Sequence, residues 1–251
     1  MEDYKKIKLS EVTPVQAGAL MERHLISPEM LNGNVKRGVL LSPDEHVSIM
    51  VCEEDHLRIQ ALCAGFDPRQ VLNQVMKADD KLEKASDYAF SETLGYLTHC
   101  PTNLGTGLRA SAMLHLPMMT ENGAIRALMD TTAKLGFAIR GLYGEGSAAQ
   151  GALYQISNQV TLGVTEEEIV YRLEQVVGGI LSQERGLRAH SQEVYKIRIE
   201  DRVYRAVGVL STARILPLSE AMVLLSDLRL GLSLGILSGI SMEEMTRILF
   251  E

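Results

Sequence analysis

Three segments of this sequence concentrate side chains that can do chemistry. The first is Cys100-Pro101-Thr102-Asn103-Leu104-Gly105-Thr106-Gly107-Leu108-Arg109-Ala110-Ser111. It sets a thiol, a turn-forming Pro and Asn, glycines and an arginine just ahead of an alternating apolar run. An exposed thiol, free backbone amides and a fixed guanidinium suit an anionic ligand. The second is Cys52-Glu53-Glu54-Asp55-His56-Leu57-Arg58, three acids beside a His and an Arg. Such carboxylates can bind a hard cation such as Mg²⁺; the commoner explanation of the run is a solvated acidic hairpin turn. The third is Arg140-Gly141-Leu142-Tyr143-Gly144-Glu145-Gly146-Ser147, a loop with an Arg at one end and a Glu near the other. Out of context it reads as a hairpin turn with an exposed Glu.

Gly105–Ala110 also fits the G-x-G-x-x-A pattern of dinucleotide folds, but that fingerprint needs a helix after it, and a strand pattern follows here. The Lys-Ser/Thr ending of a P-loop is missing. A plain Gly-rich turn with a buried Cys remains the competing reading. His24, in Arg23-His24-Leu25-Ile26-Ser27-Pro28, reads on its own as a helix-terminal histidine. His46, His99, His115 and His190 have no constellation around them and read as structural or solvated. Serine-hydrolase, zinc-protease and protein Ser/Thr kinase motifs are absent.

These segments need elements to hold them. Residues 13–23 read as a helix with Val15, Leu20 and Met21 on one side. Residues 37–63 read as strands, Val47, Ile49 and Val51 alternating with Ser48 and Met50, and Leu57, Ile59 and Ala61 with Arg58 and Gln60. Asp67 as N-cap and Pro68 in the first turn predict a helix carrying Val71, Leu72, Val75 and Leu82. Residues 108–116 alternate as a strand, Arg109, Ser111, Met113 and His115 on one side. A helix over 121–135 is closed by Gly136, and short strands follow near 137–142 and 152–160. Thr165 caps a long helix whose first turn, Glu166-Glu167-Glu168, suits the positive end of the helix dipole. The remainder reads as helical, with a Ser241/Glu244 capping box. Hairpin-joined strands with interspersed helices predict an α+β fold with a mainly antiparallel sheet. Arg58, Arg109 and Arg140 each sit on the polar side of their strand. If those strands share a sheet, three guanidinium groups line one face and helices cover the other.

The chain has 251 residues, 46% hydrophobic and 23% charged, and a formal charge of −7. That size supports a core without disulfide or metal staples, and the acidic balance argues against direct nucleic-acid binding. The 3 cysteines, Cys52, Cys63 and Cys100, have no metal-ligand spacing, and reduced thiols in a cytoplasmic protein are expected. The N-terminus has no apolar signal-peptide region and no segment reads as a membrane span.

The 100–111 run resembles, nearly letter for letter, the motif of the phosphagen (ATP:guanido) kinases, and most closely the bacterial protein-arginine kinases. The family carries Asn-Glu-Glu-Asp-His-Leu-Arg where this chain has Cys52–Arg58, so Cys52 replaces the Asn. The 140–147 segment and Ile156-Ser157-Asn158-Gln159 also match, and Tyr143 favours the bacterial branch. The resemblance covers the chain from about Leu20 to Ile248 and implies a guanido kinase catalytic domain over residues 1–251 with a glutamine-synthetase-like fold.

It also implies roles. The activity would be transfer of the ATP γ-phosphoryl group to arginine guanidinium groups of proteins. Glu54 and Glu145 would bind the guanidinium and take its proton, with Cys100 against the same group. His24, Arg58, Arg109, the Ala110, Ser111, Ala112 and Met113 segment, Arg140 and Gly141, Leu142, Tyr143, Gly144 and Glu145 would contact the nucleotide. ATP would bring Mg²⁺, held mostly by phosphate and water, with no dedicated protein ligands. By the same resemblance, partners would include an activator protein and stress-response or protease machinery, and a homodimer is compatible with it. Family members begin with a small helical domain and a Ser-Arg-Ile-Arg-type segment, and the bacterial enzymes continue past Ile248. Neither extension is expected in this chain, so reduced activity is expected of it. A catalytically weak remnant that binds nucleotide or partners, and a kinase of free arginine, are the alternatives.

Overall fold

The computed structural model describes residues 3–32, 35–141 and 150–250. The chain divides into two compact units: Met1–Leu108 with Thr161–Glu166 and Phe250–Glu251, and Arg109–Val160 with Glu167–Leu249.

The first unit is built on a four-stranded antiparallel sheet in chain order, β1 (Lys5–Lys8), β2 (Gly38–Leu41), β3 (Val47–Val51) and β4 (Leu57–Ala61). Helix α1 (Pro14–Glu22) starts at a capping box: Thr13 Oγ1 accepts the Gln16 N–H at 3.3 Å and the Thr13 N–H donates to Gln16 Oε1 at 2.9 Å. Helix α2 (Pro68–Glu83) starts where Asp67 and Pro68 predict, with Asp67 Oδ1 accepting the Gln70 N–H at 3.0 Å. Strand β3 is covered on both faces. Val47 and Ile49 pack with Ala78 and Leu82 of α2, whereas Met50 packs with Leu20, Leu25, Ile26 and Met30. That second layer buries Ser48 and Met50, although alternation alone marks them as solvent-facing. Val15, expected on the packed side of α1, is 82% exposed, because α1 buries Ala17 and Leu20 instead. A short hairpin, β5 (Phe90–Ser91) with β6 (Gly95–Tyr96), completes the unit.

The second unit holds a three-stranded antiparallel sheet in the order β7 (Ser111–His115), β9 (Leu153–Asn158), β8 (Phe137–Gly141). One face packs Ala112, Leu114, Ile139 and Ile156 against Leu128 of α4 (Ile125–Lys134) and Leu173, Val177 and Ile180 of α5 (Glu166–Val194). The remaining helices are α3 (Pro117–Glu121), α6 (Lys196–Thr212), α7 (Leu218–Ser233) and α8 (Met242–Phe250). The Ser241/Glu244 capping box forms, with bonds of 2.8 and 3.1 Å.

The structure corrects three expectations. The helix expected over 121–135 is α4 and starts only at Ile125, because Gly123 at φ +67° separates it from α3. The strand over 108–116 begins only at Ser111. Arg58, Arg109 and Arg140 do not share a sheet: β4 belongs to the four-stranded sheet, β8 to the three-stranded one, and Arg109 precedes β7. Strand pairing is a long-range choice that alternation within a strand does not specify.

Candidate active site

In the first unit, the β3–β4 turn holds the acidic motif. Cys52 opens it at φ +59°, its N–H donating to the His56 carbonyl at 2.9 Å. Arg37 Nε donates to the Cys52 carbonyl at 2.9 Å and fixes the turn from behind. Glu53 points inward, its side chain only 5% exposed. Its Oε1 accepts from Ser27 Oγ at 2.6 Å and from Arg58 at 2.9 Å, and its Oε2 accepts the Glu54 N–H at 2.9 Å. Burial pushes this carboxyl up, but the Ser27 hydroxyl, the Glu54 amide and the Arg58 charge outweigh it and leave the pKa below the usual range. With Glu53 committed, Glu54 is the exposed acid of the pair.

Strand β4 carries one nucleotide-assigned residue, Arg58, and holds the backbone of another, His24. Arg58 lies opposite Met50, and Gln60, on the same strand face, donates to the His24 carbonyl at 2.5 Å. His24 ends α1 in the left-handed region at φ +56°. Its N–H donates to the Met21 carbonyl and the Leu25 N–H to the Leu20 carbonyl, both at 2.9 Å, a Schellman motif with His in the place usual for Gly.

The thiol segment is bound to the acidic turn. Asp55 Oδ1 accepts the His99 N–H at 2.7 Å. Cys100 then leads into a short helical turn, Pro101–Asn103. Its carbonyl accepts from Thr98 Oγ1 at 2.8 Å and from the Asn103 N–H at 3.0 Å, and its Sγ lies 3.0 Å from Thr102 Oγ1. The half-buried thiol therefore sits at the start of a loop closed by the Tyr96–Gly105 bridge.

In the second unit, the sheet face turned away from the core carries the other assigned residues. Met113 and Arg140 both lie opposite Gln155, on either side of β9. Ser111 Oγ accepts from Gln155 Nε2 at 3.1 Å. Ala112 faces the core. Ala110 is fixed at both backbone groups: its N–H donates to Asn158 Oδ1 at 2.8 Å and its carbonyl accepts the Asn158 N–H at 3.3 Å. The exposed Arg109 thus projects from backbone held next to β9. Gly141 ends β8, buried, and Leu142, Tyr143, Gly144 and Glu145 lie outside the described residues.

Comparison with known proteins identifies the family. The model for the ATP:guanido phosphotransferase C-terminal catalytic domain matches residues 1–187. The chain belongs to that family. A second model, the protein-arginine kinase McsB C-terminal domain, matches residues 196–251. A protein-arginine kinase of Desulforamulus reducens is 50% identical over 93% of this chain, and one of Caldanaerobacter subterraneus subsp. tengcongensis is 47% identical over 98%. One of Bacillus cereus is 44% identical over 98%. The chain spans 65%, 72% and 70% of those relatives. Among solved structures, the duplicated taurocyamine kinase of Schistosoma mansoni, with transition state analogue components bound, superposes with TM-score 0.67 at 27% identity, over 73% of this chain and 27% of that one. Lombricine kinase gives TM-score 0.65 at 27% identity, over 75% of this chain and 55% of that one. These neighbours share the α+β fold expected from the sequence.

Sequence reasoning singled out Glu54 of the three acids, through the resemblance, and missed Glu53 and Asp55 as the residues that hold the turn. Their partners, Ser27 and His99, are 26 and 44 positions away. Only the motif's unusual acid density hinted that one carboxylate faces inward. Gln155 carried no sequence signal.

Proposed function

We propose that this chain transfers the γ-phosphoryl group of ATP to arginine guanidinium groups of proteins. The observation that carries the reading is the Asp55–His99 bond, which holds the Glu54 turn and the Cys100 loop to each other within one unit. An arginine guanidinium is protonated near pH 7 and a poor nucleophile. A carboxylate pair can orient it by charge-assisted hydrogen bonds and remove a proton. Glu54 fills one of those places; Glu145 is assigned the other from the motif. Cys100 adds a polarisable, negative-capable group beside the same nitrogen.

The step balances simply. A guanidinium nitrogen forms a bond to Pγ while the bond from Pγ to the bridging oxygen breaks. ADP departs with that electron pair, and the nitrogen's proton passes to Glu54. Phosphoryl transfer depends on positioning and charge neutralisation. Arg58 and His24 in one unit, and Arg109, the Ala110–Met113 segment and Arg140 in the other, are assigned to the nucleotide. Magnesium enters with ATP. Among the described residues no three His, Cys, Asp or Glu side chains gather into a metal site. When bound, the ion would neutralise phosphate charge.

Among the described residues no helix is long and apolar enough to cross a membrane, and Cys52, Cys63 and Cys100 are all unpaired thiols. The unpaired thiols fit the reducing cytoplasm to which this reading assigns the chain. An activator protein, protease machinery and a homodimer rest on the resemblance alone.

Incubation with γ-labelled ATP and an arginine-rich protein tests the reading. Acid-labile phosphoarginine is expected, falling about 10²- to 10⁴-fold in Glu54→Ala. No label, together with no effect of the substitution, overturns the reading. Turnover of free arginine equal to that of protein redirects it to a free-arginine kinase.

A further inference from the structure

We infer that Thr161 is a positioning residue for Cys100, acting as the keystone of the 97–106 loop; this rests on the assignment of Cys100 above. Thr161 is 57 positions beyond Leu104, and its side chain is buried, the residue being 5% exposed. Its single hydroxyl reaches two loop carbonyls, Leu104 at 2.7 Å and Thr102 at 3.1 Å. Its own carbonyl accepts the Thr106 N–H at 3.0 Å and lies 3.3 Å from Thr106 Oγ1. One residue therefore holds the loop at three successive even positions, from Thr102 to Thr106.

The backbone is built for this approach. A Cβ on Gly105 would stand 2.3 Å from the Thr161 carbonyl oxygen, and a Cβ on Gly95 would stand 2.4 Å from the Gly105 carbonyl oxygen. Three backbones thus stack in contact, 95–96, 105 and 161, with glycine at the two crossings. The part-buried Thr102 and Leu104 carbonyls lie outside any strand ladder that could supply donors. The Thr161 hydroxyl supplies one. Without it the turn at Pro101–Asn103 loses its outer support, and with it the Thr102 hydroxyl that lies 3.0 Å from Cys100 Sγ. The same anchor explains why a Gly-rich run, floppy by composition, can present a thiol in a fixed place.

The test compares Thr161→Val, which keeps the shape and removes the hydroxyl, with Thr161→Ser, which keeps the hydroxyl. Both are read by turnover and by the pH profile of Cys100 alkylation with iodoacetamide, Cys52 and Cys63 being followed separately by peptide mapping. In Thr161→Val, kcat is expected to fall at least five-fold with KM for ATP within two-fold, and the Cys100 alkylation rate to change at least three-fold. Thr161→Ser is expected to stay within two-fold of the parent in all three. A Thr161→Val chain with unchanged Cys100 alkylation, or a Thr161→Ser chain as impaired as Thr161→Val, overturns the inference. Amide hydrogen exchange in the unaltered chain needs no variant: the Thr106 amide is expected to be protected like those of β4, and free-loop exchange overturns the inference even if Thr161→Val does not fold. Normal turnover of Cys100→Ser would instead overturn the assignment of Cys100, leaving the alkylation and exchange results to decide the role of Thr161 in the loop.

Discussion

The Asp55 carboxylate accepts the His99 backbone N–H at 2.7 Å, joining a hairpin turn to a loop 44 positions later. The acceptor is charged and the bond short, so it is among the stronger hydrogen bonds of the first unit. Its neighbours on either side, Glu54 and Cys100, are two of the three groups assigned to the guanidinium. Removing the bond frees one relative to the other.

Asp55→Ala is therefore expected to lower kcat about ten-fold, the order set by losing one charge-assisted bond of roughly 1.5 kcal/mol. KM for ATP should move less than two-fold. Asp55→Asn keeps an acceptor oxygen and should recover most of the loss. Steady-state kinetics with a protein substrate checks both; equal kcat in all three chains would separate this bond from catalysis.

Cys52 adopts φ +59°, where a residue with a Cβ is strained and Asn is tolerated best. The family motif carries Asn at this place. Cys52→Asn is expected to stabilise the chain by about 1 kcal/mol, the cost of the left-handed conformation, without changing the turn. Urea unfolding measures it. Its bonds to His56 and Arg37 use the Cys52 backbone and survive the change.

The contrast between Asp67 and Glu184 shows where the sequence is readable. Asp67 caps a helix by reaching three residues along its own chain, so the local pattern Asp-Pro before an apolar stripe reveals it. The motifs assigned to the site stood out for the same reason: each is contiguous. Glu184 looks like a surface acid on a long helix, yet it is 1% exposed, accepting the Met118 and Met119 N–H groups at 3.2 and 2.9 Å and Arg188 Nε at 2.7 Å. Its partners at the start of α3 are about 65 positions away, which no periodicity announces. The separate sheets of Arg58 and Arg140 were hidden likewise, because alternation gives a side chain's face but not the strand's neighbour.

Glu184→Ala leaves Arg188 half-enclosed without its carboxylate and orphans the first N–H groups of α3. Breaking such a buried pair from one side costs about 3–5 kcal/mol. A fall in Tm of about 10 °C is expected for a chain of this size. Differential scanning calorimetry decides it, and a shift under about 2 °C would mean that water replaces the lost carboxylate.

His115 stands at the end of β7. Its Nε2 lies 2.8 Å from Ser226 Oγ of α7. Arg188 donates to the His115 carbonyl at 2.8 Å. Burial, then the positive charges of Arg188, Arg229 and Arg202, push the imidazole pKa well below 6.5. The folded chain therefore keeps His115 neutral where the unfolded chain protonates it. Below pH 6.5 the unfolded state binds the extra proton, so the contribution of His115 to stability is complete above that pH and is lost as pH falls. The slope approaches about 1.4 kcal/mol per pH unit for one proton. His115→Gln can still bond Ser226 but cannot titrate. The stability difference between the parent and His115→Gln, measured by urea unfolding at intervals from pH 7.5 to 5, should shift against the parent as pH drops. Subtraction removes every titration the two chains share, so a difference independent of pH would mean that His115 is protonated alike in the folded and unfolded chains.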